Sequence, residues 1–268
     1  ARENLSIQVH PDDAAARPHD RLGKTEAWHV LAADPGSWLY LGLRPDVAGD
    51  AFGDACREGT GAAAHCLRRI PAIPGTTVLL PAGTAHALGA GVVVYEIQQA
   101  SDVTYRLDDW DRRDAAGQPR ELHVDQGLAA LHFPYRPERI APIALATGAG
   151  RRHLLAACRV FALERIALAA GEEVTCPAGS PQTLTCLRGS VVVETNGGSA
   201  DLNAGETAVV AAVTPCRLRA VAPAVLLRAW VPDLAADVIA PARASGADDE
   251  EIAALAGPLP DLRDLLSG

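Results

Sequence analysis

"GTTVLLPAGTAH", residues 75–86, decides how the rest of the chain is read. Its spacing is G-x5-P-x-G-x2-H, and the apolar run between the first glycine and the proline is a short strand closed by a Pro-Gly turn. The same spacing returns at 171–182, "GEEVTCPAGSPQ", with Gln182 where the first copy has His86. Two such units predict two related β-rich halves, of which only the first keeps a metal-type residue in the turn.

Working outward, the chain reads as many short strands punctuated by Gly and Pro, over 5–10, 27–32, 38–43, 67–73, 77–81, 92–98, 103–107, 158–168, 183–187, 190–195, 207–212, 216–221 and 225–231. Close spacing of that kind argues for a sandwich or barrel and against βαβ units. Helical pattern is sparse: one segment over 46–58, and a short one capped by Asp125 and running to Leu131. A boundary is expected at "PIALATGAGRR", 142–152. From Asp233 the character changes to short helices with acidic N-termini, a tail expected to dock on the body or to mediate self-association.

Composition bounds the function. With 268 residues, 49% hydrophobic and 21% charged, the chain can bury a core. A net charge of -9 and the lack of a basic stripe argue against nucleic acid. No apolar run is long enough for a membrane span and no leader opens the chain, so a cytoplasmic location and no membrane partner are expected. The six cysteines form no C-x-x-C pair and read as small buried hydrophobes. Among 24 basic residues Lys24 is the single lysine, which suggests a site that wants a compact, titratable ammonium.

The chemistry gathers around "LSIQVHPDD", 5–13. Gln8 and His10 fall on one face of a strand, Glu26 sits at the mouth of the next in "GKTEAWHV", and His86 follows the Pro-Gly turn. Two imidazoles, a carboxylate and an amide make a mixed N/O set that leaves positions open, as a catalytic metal site does. Taken singly, each has a plainer role: a strand histidine, a surface ion pair with Lys24 or Arg21, a turn cap. His29 alternates away from Glu26 and His123 follows a turn, so neither joins the set. No G-x-S-x-G is present. "GAGVVV", 89–94, precedes a strand and is a turn, and "DDWDRRD", 108–114, reads as a solvated loop anchored by Trp110.

The 75–86 stretch resembles the second signature of the cupin superfamily. With "LSIQVHPDD", "GKTEAWHVL", "YEIQQASDVTYRLDDWDR" and "RELHVDQGL", five ordered motifs across residues 5–131 closely resemble the type I phosphomannose isomerases. The resemblance implies an all-β fold of two cupin (jelly-roll type) β-barrel domains: a catalytic one over 1–140, a second without metal ligands over 150–232, and a helical tail over 233–268. It implies a zinc-dependent enzyme, one Zn2+ per chain, that interconverts mannose 6-phosphate and fructose 6-phosphate; other divalent metals also suit the ligand set. The family's metal ligands fall on Gln8, His10, Glu26 and His86, and its active-site residues on Ser6, Lys24, Glu96, Asp102 and Arg106.

Aldose-ketose conversion moves a proton between C2 and C1 through a cis-enediol, so it needs a base of moderate pKa and a partner for the developing oxyanion. Lys24 and Glu96 compete for the proton, with Asp102 a further carboxylate. Arg106, Lys24 and Ser6 are the substrate contacts, the Arg106 fork matching either enediolate or phosphate. The expected partner is a small sugar phosphate, and the chain a monomer or homodimer. Two alternatives stay open: an isomerase or epimerase for another phosphosugar, and a non-catalytic metal- or sugar-binding cupin. The family's members carry a stretch upstream of the Gln-x-His strand; without it, an unpaired sheet edge and an incomplete pocket are expected.

Overall fold

The computed structural model describes residues 1–133, 135–146 and 150–268. It is mostly β with few helices, and it divides into two units, Ala1–Arg139 and Ile140–Gly268. The expected boundary at 142–152 has its residues 147–149 outside the described ones, and the division falls just before that stretch. No helix among the described residues is long and apolar enough to cross a membrane.

In the first unit the strands are β1 (Ile7–Val9), β2 (Glu26–Ala33), β3 (Trp38–Leu43), β4 (Leu67–Pro71), β5 (Thr77–Leu80), β6 (His86–Leu88), β7 (Val92–Gln98) and β8 (Tyr105–Asp108). One sheet runs β4-β3-β6-β1-β8; in another, β2 lies between β7 and β5. All the pairings are antiparallel, and the ladders of the described residues do not close into a hydrogen-bonded barrel, which corrects the expectation of one.

Alternation along β3 and β6 sets the two faces of the first sheet. Leu41 stands opposite His86 and Tyr40 opposite Ala87, so neighbouring residues send their side chains to opposite sides. Leu39, Leu41, Leu88, Trp28, Val30 and Val78 form one core. Ile7, Val9, Tyr40, Ala87 and Leu107 form another on the reverse face, joined by Phe52 and Cys56 of α2 (Gly49–Glu58) and by Leu128 and Ala130 of α3 (Val124–Ala130). α1 (Asp13–Ala16) is a single turn capped by Asp12. The run read as a solvated loop is partly interior: Asp108 is buried and accepts from the backbone N–H groups of Gly61, Ala63 and Trp110, because three orphan donors there need one acceptor. Asp109 is buried between Arg112 and Arg120.

After the two-residue β9 (Arg139–Ile140), the second unit holds β10 (Ile143–Leu145), β11 (Arg151–Ala157), β12 (Ala162–Leu168), β13 (Glu173–Cys176), β14 (Gln182–Thr195), β15 (Gly198–Asn203), β16 (Thr207–Val210) and β17 (Cys216–Trp230). They make one sheet in the order β10-β11-β12-β17-β14-β15, with β13 on β17 and β16 on β14. Its interior carries charge. Glu164, Gln182 and Arg228 are buried, with Arg228 Nε donating to Gln182 Oε1 at 2.6 Å and its Nη1 to Glu164 Oε2 at 3.2 Å. Arg152 forks onto the same carboxylate, and Arg228 stacks 4.0 Å above Trp230. The tail belongs to this unit: Leu255 O accepts from Ala157 N, Asp261 from Arg159 N, and Val238, Ile252 and Leu262 are buried.

Candidate metal centre

Each candidate ligand is placed by backbone geometry. β1 sends Gln8 and Ile7 to opposite faces, and pairs Gln8 with His86 on one side and with Arg106 on the other. Glu26 opens β2, opposite Leu80 and Gln98. The Pro81-Gly83 turn delivers His86, with Gly83 N donating to His10 O at 2.7 Å and so tying the turn to the end of β1. Donor atoms of His10, Glu26 and His86 all lie within 4.8 Å of one another, and the three residues are buried.

The ring tautomers follow from the hydrogen bonds. His10 Nδ1–H donates to Val103 O and His86 Nδ1–H to Thr84 O, both at 2.8 Å. Each proton is thereby held on Nδ1, and both Nε2 lone pairs turn toward the carboxylate. His10 Nε2 is 3.2 Å from Glu26 Oε1 and His86 Nε2 3.6 Å from Glu26 Oε2, and the buried atoms His10 Nε2 and Glu26 Oε2 have no hydrogen-bond partner among the described residues. Two of the converging acceptors, His10 Nε2 and Glu26 Oε2, thus lack a proton donor among the described residues, an unrelieved conflict that costs about 1–3 kcal/mol per atom in a buried site. A divalent cation removes that conflict, so the donor set fits a metal. The Gln8 amide nitrogen is 3.3 Å from His86 Nε2, and a half-turn of the amide brings its oxygen to the same point.

Electrostatics agree with that fit. Burial pushes His86 down to about 4 against the pull of Glu26, so its imidazole is neutral, the form a metal requires. Burial alone raises Glu26, but the Lys24 ammonium in contact with it, together with the two adjoining imidazoles, outweighs burial and holds the carboxylate ionised. Glu96 is pushed up to about 7, by burial and by the Glu26 charge. Its side chain is 38% exposed, so solvent screens part of that push.

Lys24 is buried on a pinned loop: its N–H donates to Pro11 O at 3.1 Å, and the next residue, Thr25, donates to Gln99 Oε1 at 2.8 Å. Its ammonium contacts Glu26 and lies 3.9 Å from Glu96. Ser6 is buried at the start of the same strand as Gln8. Arg106, beside Gln8 in register, donates through Nη1 to Glu121 O, while its buried Nε has no partner among the described residues. Asp102 is not brought to this group: its side chain is 82% exposed and pairs with Arg21. His29 bonds Thr77 at 2.9 Å, and His123 accepts from Arg106 N. Sequence reasoning missed the carbonyls that orient the histidines and the Trp28 ring set edge-on to His86 at 5.4 Å. Thr84, inside the turn motif, was findable; Val103 carries no signal, because any residue supplies a carbonyl.

No family model matches the chain. It is 40% identical over 140 residues to a mannose-6-phosphate isomerase of Streptococcus mutans, a match taking in 49% of this chain and 41% of that relative. The chain thus covers less than half the length of the curated relatives it matches. A crystal structure of the mannose 6-phosphate isomerase from Bacillus subtilis superposes with a TM-score of 0.74 at 26% identity, covering 85% of this chain and 72% of that one. The fold is also shared with a zinc-bound mannose 6-phosphate isomerase, at a TM-score of 0.63 and 16% identity over 86% of this chain and 76% of that one. The resemblance read from the motifs therefore holds, at this identity, for about half of the chain and, in fold, for more of it.

Proposed function

We propose, starting from that likeness to mannose-6-phosphate isomerases, that the protein is a zinc-dependent aldose-ketose isomerase that interconverts mannose 6-phosphate and fructose 6-phosphate. The observation that carries the reading is the convergence of His10, Glu26 and His86 with unpartnered buried donor atoms, next to the chain's one lysine. His10, Glu26, His86 and the Gln8 amide oxygen would hold the ion. When bound, a divalent cation there polarises the sugar carbonyl and offsets the charge of the enediolate.

The chain's own side chains do the rest. Lys24 and Glu96 share one corner, 3.9 Å apart, and pass the proton between C2 and C1. Glu96 suits this work because a carboxyl near 7 both takes and returns a proton at neutral pH. Lys24 keeps Glu26 compensated through Oε1, the oxygen that His10 also approaches. Arg106, with an unused Nε beside Gln8, takes the phosphate or the enediolate oxygen, and Ser6 adds a hydroxyl to the substrate wall. The exposure of Asp102 and its pairing with Arg21 favour a peripheral role for it.

The first unit is, in this reading, a metal-bearing cupin domain. The second is a cupin-like partner in which Gln182, at the position of His86 in the repeat, binds the Arg228 guanidinium. Zinc content and isomerase turnover, measured on the wild type and on His86→Ala, test the proposal. Both fall together if it is right; turnover that survives loss of the metal refutes it.

A further inference from the structure

On the reverse face of the first sheet lies a second cleft, of roughly 560 Å3, within the usual size of a small-molecule site. Trp38, Tyr40 and Trp110 line it, and Arg44, Arg69 and His65 also border it. The α2 and α3 cover stops short of this end, leaving Trp38 and Trp110 half-buried. The metal ligands face the other way: Tyr40 is opposite Ala87, while the neighbouring Leu41 is opposite His86.

Two features make this more than a gap in the surface. The aromatic wall is fixed beforehand: Trp110 Nε1 donates to Leu5 O at 2.8 Å, its ring meets Tyr40 edge-on at 5.8 Å, and Gly61 leaves the space, since a Cβ there would lie 2.9 Å from that ring. The second feature is Arg69. Its guanidinium is held 5.2 Å over the Trp38 ring, yet it makes no side-chain hydrogen bond or ion pair among the described residues. Arg44, by contrast, is spent on Asp46 and the His65 carbonyl. An oriented fork with no acceptor is suited to a ligand's anionic oxygens.

The same lining decides between kinds of ring. A pyranose needs acceptors for its hydroxyls, and no Asp, Glu, Asn or Gln lines the cleft. A flat ring needs only faces to stack on, and these it has. We propose that this cleft binds a nucleotide, with the base against the aromatic wall and the phosphate on Arg69. The assignment does not depend on what the metal centre does.

The test uses the intact, metal-loaded chain, titrated with AMP and followed by calorimetry and tryptophan fluorescence, with pyrophosphate and fructose 6-phosphate titrated in parallel. AMP is expected to bind saturably and to perturb tryptophan emission. Arg69→Ala, at an exposed position that leaves the core untouched, should weaken AMP about tenfold or more and leave the fructose 6-phosphate titration unchanged. The proposal is overturned if millimolar AMP gives no saturable binding, if Arg69→Ala binds AMP as the wild type does, or if pyrophosphate binds as tightly as AMP.

Discussion

Two carboxylates and one ammonium share a corner of the first unit, and their environments drive the carboxylates apart. Glu26 stays charged among cationic and polar hydrogens, while Glu96, facing that charge, holds its proton to about 7. For metal-free protein the sign is fixed. The folded state keeps the Glu96 proton over a range, from the ordinary 4.5 up to about 7, in which the unfolded chain has lost it. Stability from this group is therefore present at low pH and lost as pH rises through that window. Thermal melts of chelated protein at pH 5 and pH 8 should show the wild type losing more than Glu96→Gln; equal losses count against the assignment. In the metal-loaded isomerase proposed above, Lys24→Arg keeps the charge but swaps a titratable point for a broad fork, and kcat should fall by about 10²–10⁴-fold. The candidate ligands could be proposed from sequence because strand alternation and turn spacing place Gln8, His10 and His86 without knowledge of the whole. The position of Asp102 was not legible in the same way: its neighbour in sequence, Ser101, says nothing about solvent, and the structure has it exposed and paired with Arg21.

At the scale of elements, β3 and β7 are bounded where the alternation put them, over 38–43 and 92–98. Long strands were harder. β14 and β17 were each read as two pieces, because Gly189 and Pro223 look like breaks. In the structure they meet: Gly189 has φ +77° and its missing Cβ would lie 2.1 Å from Pro223 O, so the two strands bulge past each other and continue. Gly189→Ala would force backbone apart on both strands and should lower the second unit's stability by about 1–3 kcal/mol, measured by denaturant melting. The predicted 158–168 strand began too early: the chain turns at 158–161, and β11 before it, "RRHLLAA", shows too little alternation to be seen. Phe52 is fully buried between α2 and the sheet, so Phe52→Ala should cost about 3–5 kcal/mol in the first unit.

Across the molecule, the two units meet a similar problem, a buried carboxylate near the Pro-Gly turn, by different means. Unit one gathers the imidazoles of His10 and His86 at Glu26; unit two has Arg228 and Arg152 at Glu164. Replacing Glu164 by Gln leaves two guanidinium groups short of a partner, and the second unit should lose about 3–5 kcal/mol in denaturant melts. Chelation is expected to raise amide exchange in β1, β2 and β6 and to leave β12, β14 and β17 unchanged. The repeat and its Gln182 were visible in sequence, but the partner of Gln182 was not, since Arg228 comes from a strand far along the chain. Lys24 adds a consequence of its own. A lysine-specific protease has one peptide bond to cut, and that bond separates Gln8 and His10 from Glu26 and His86. With Lys24 buried in the folded protein, the enzyme waits for the loop to open, so the appearance of a single nick is a clock for how often the active corner comes apart.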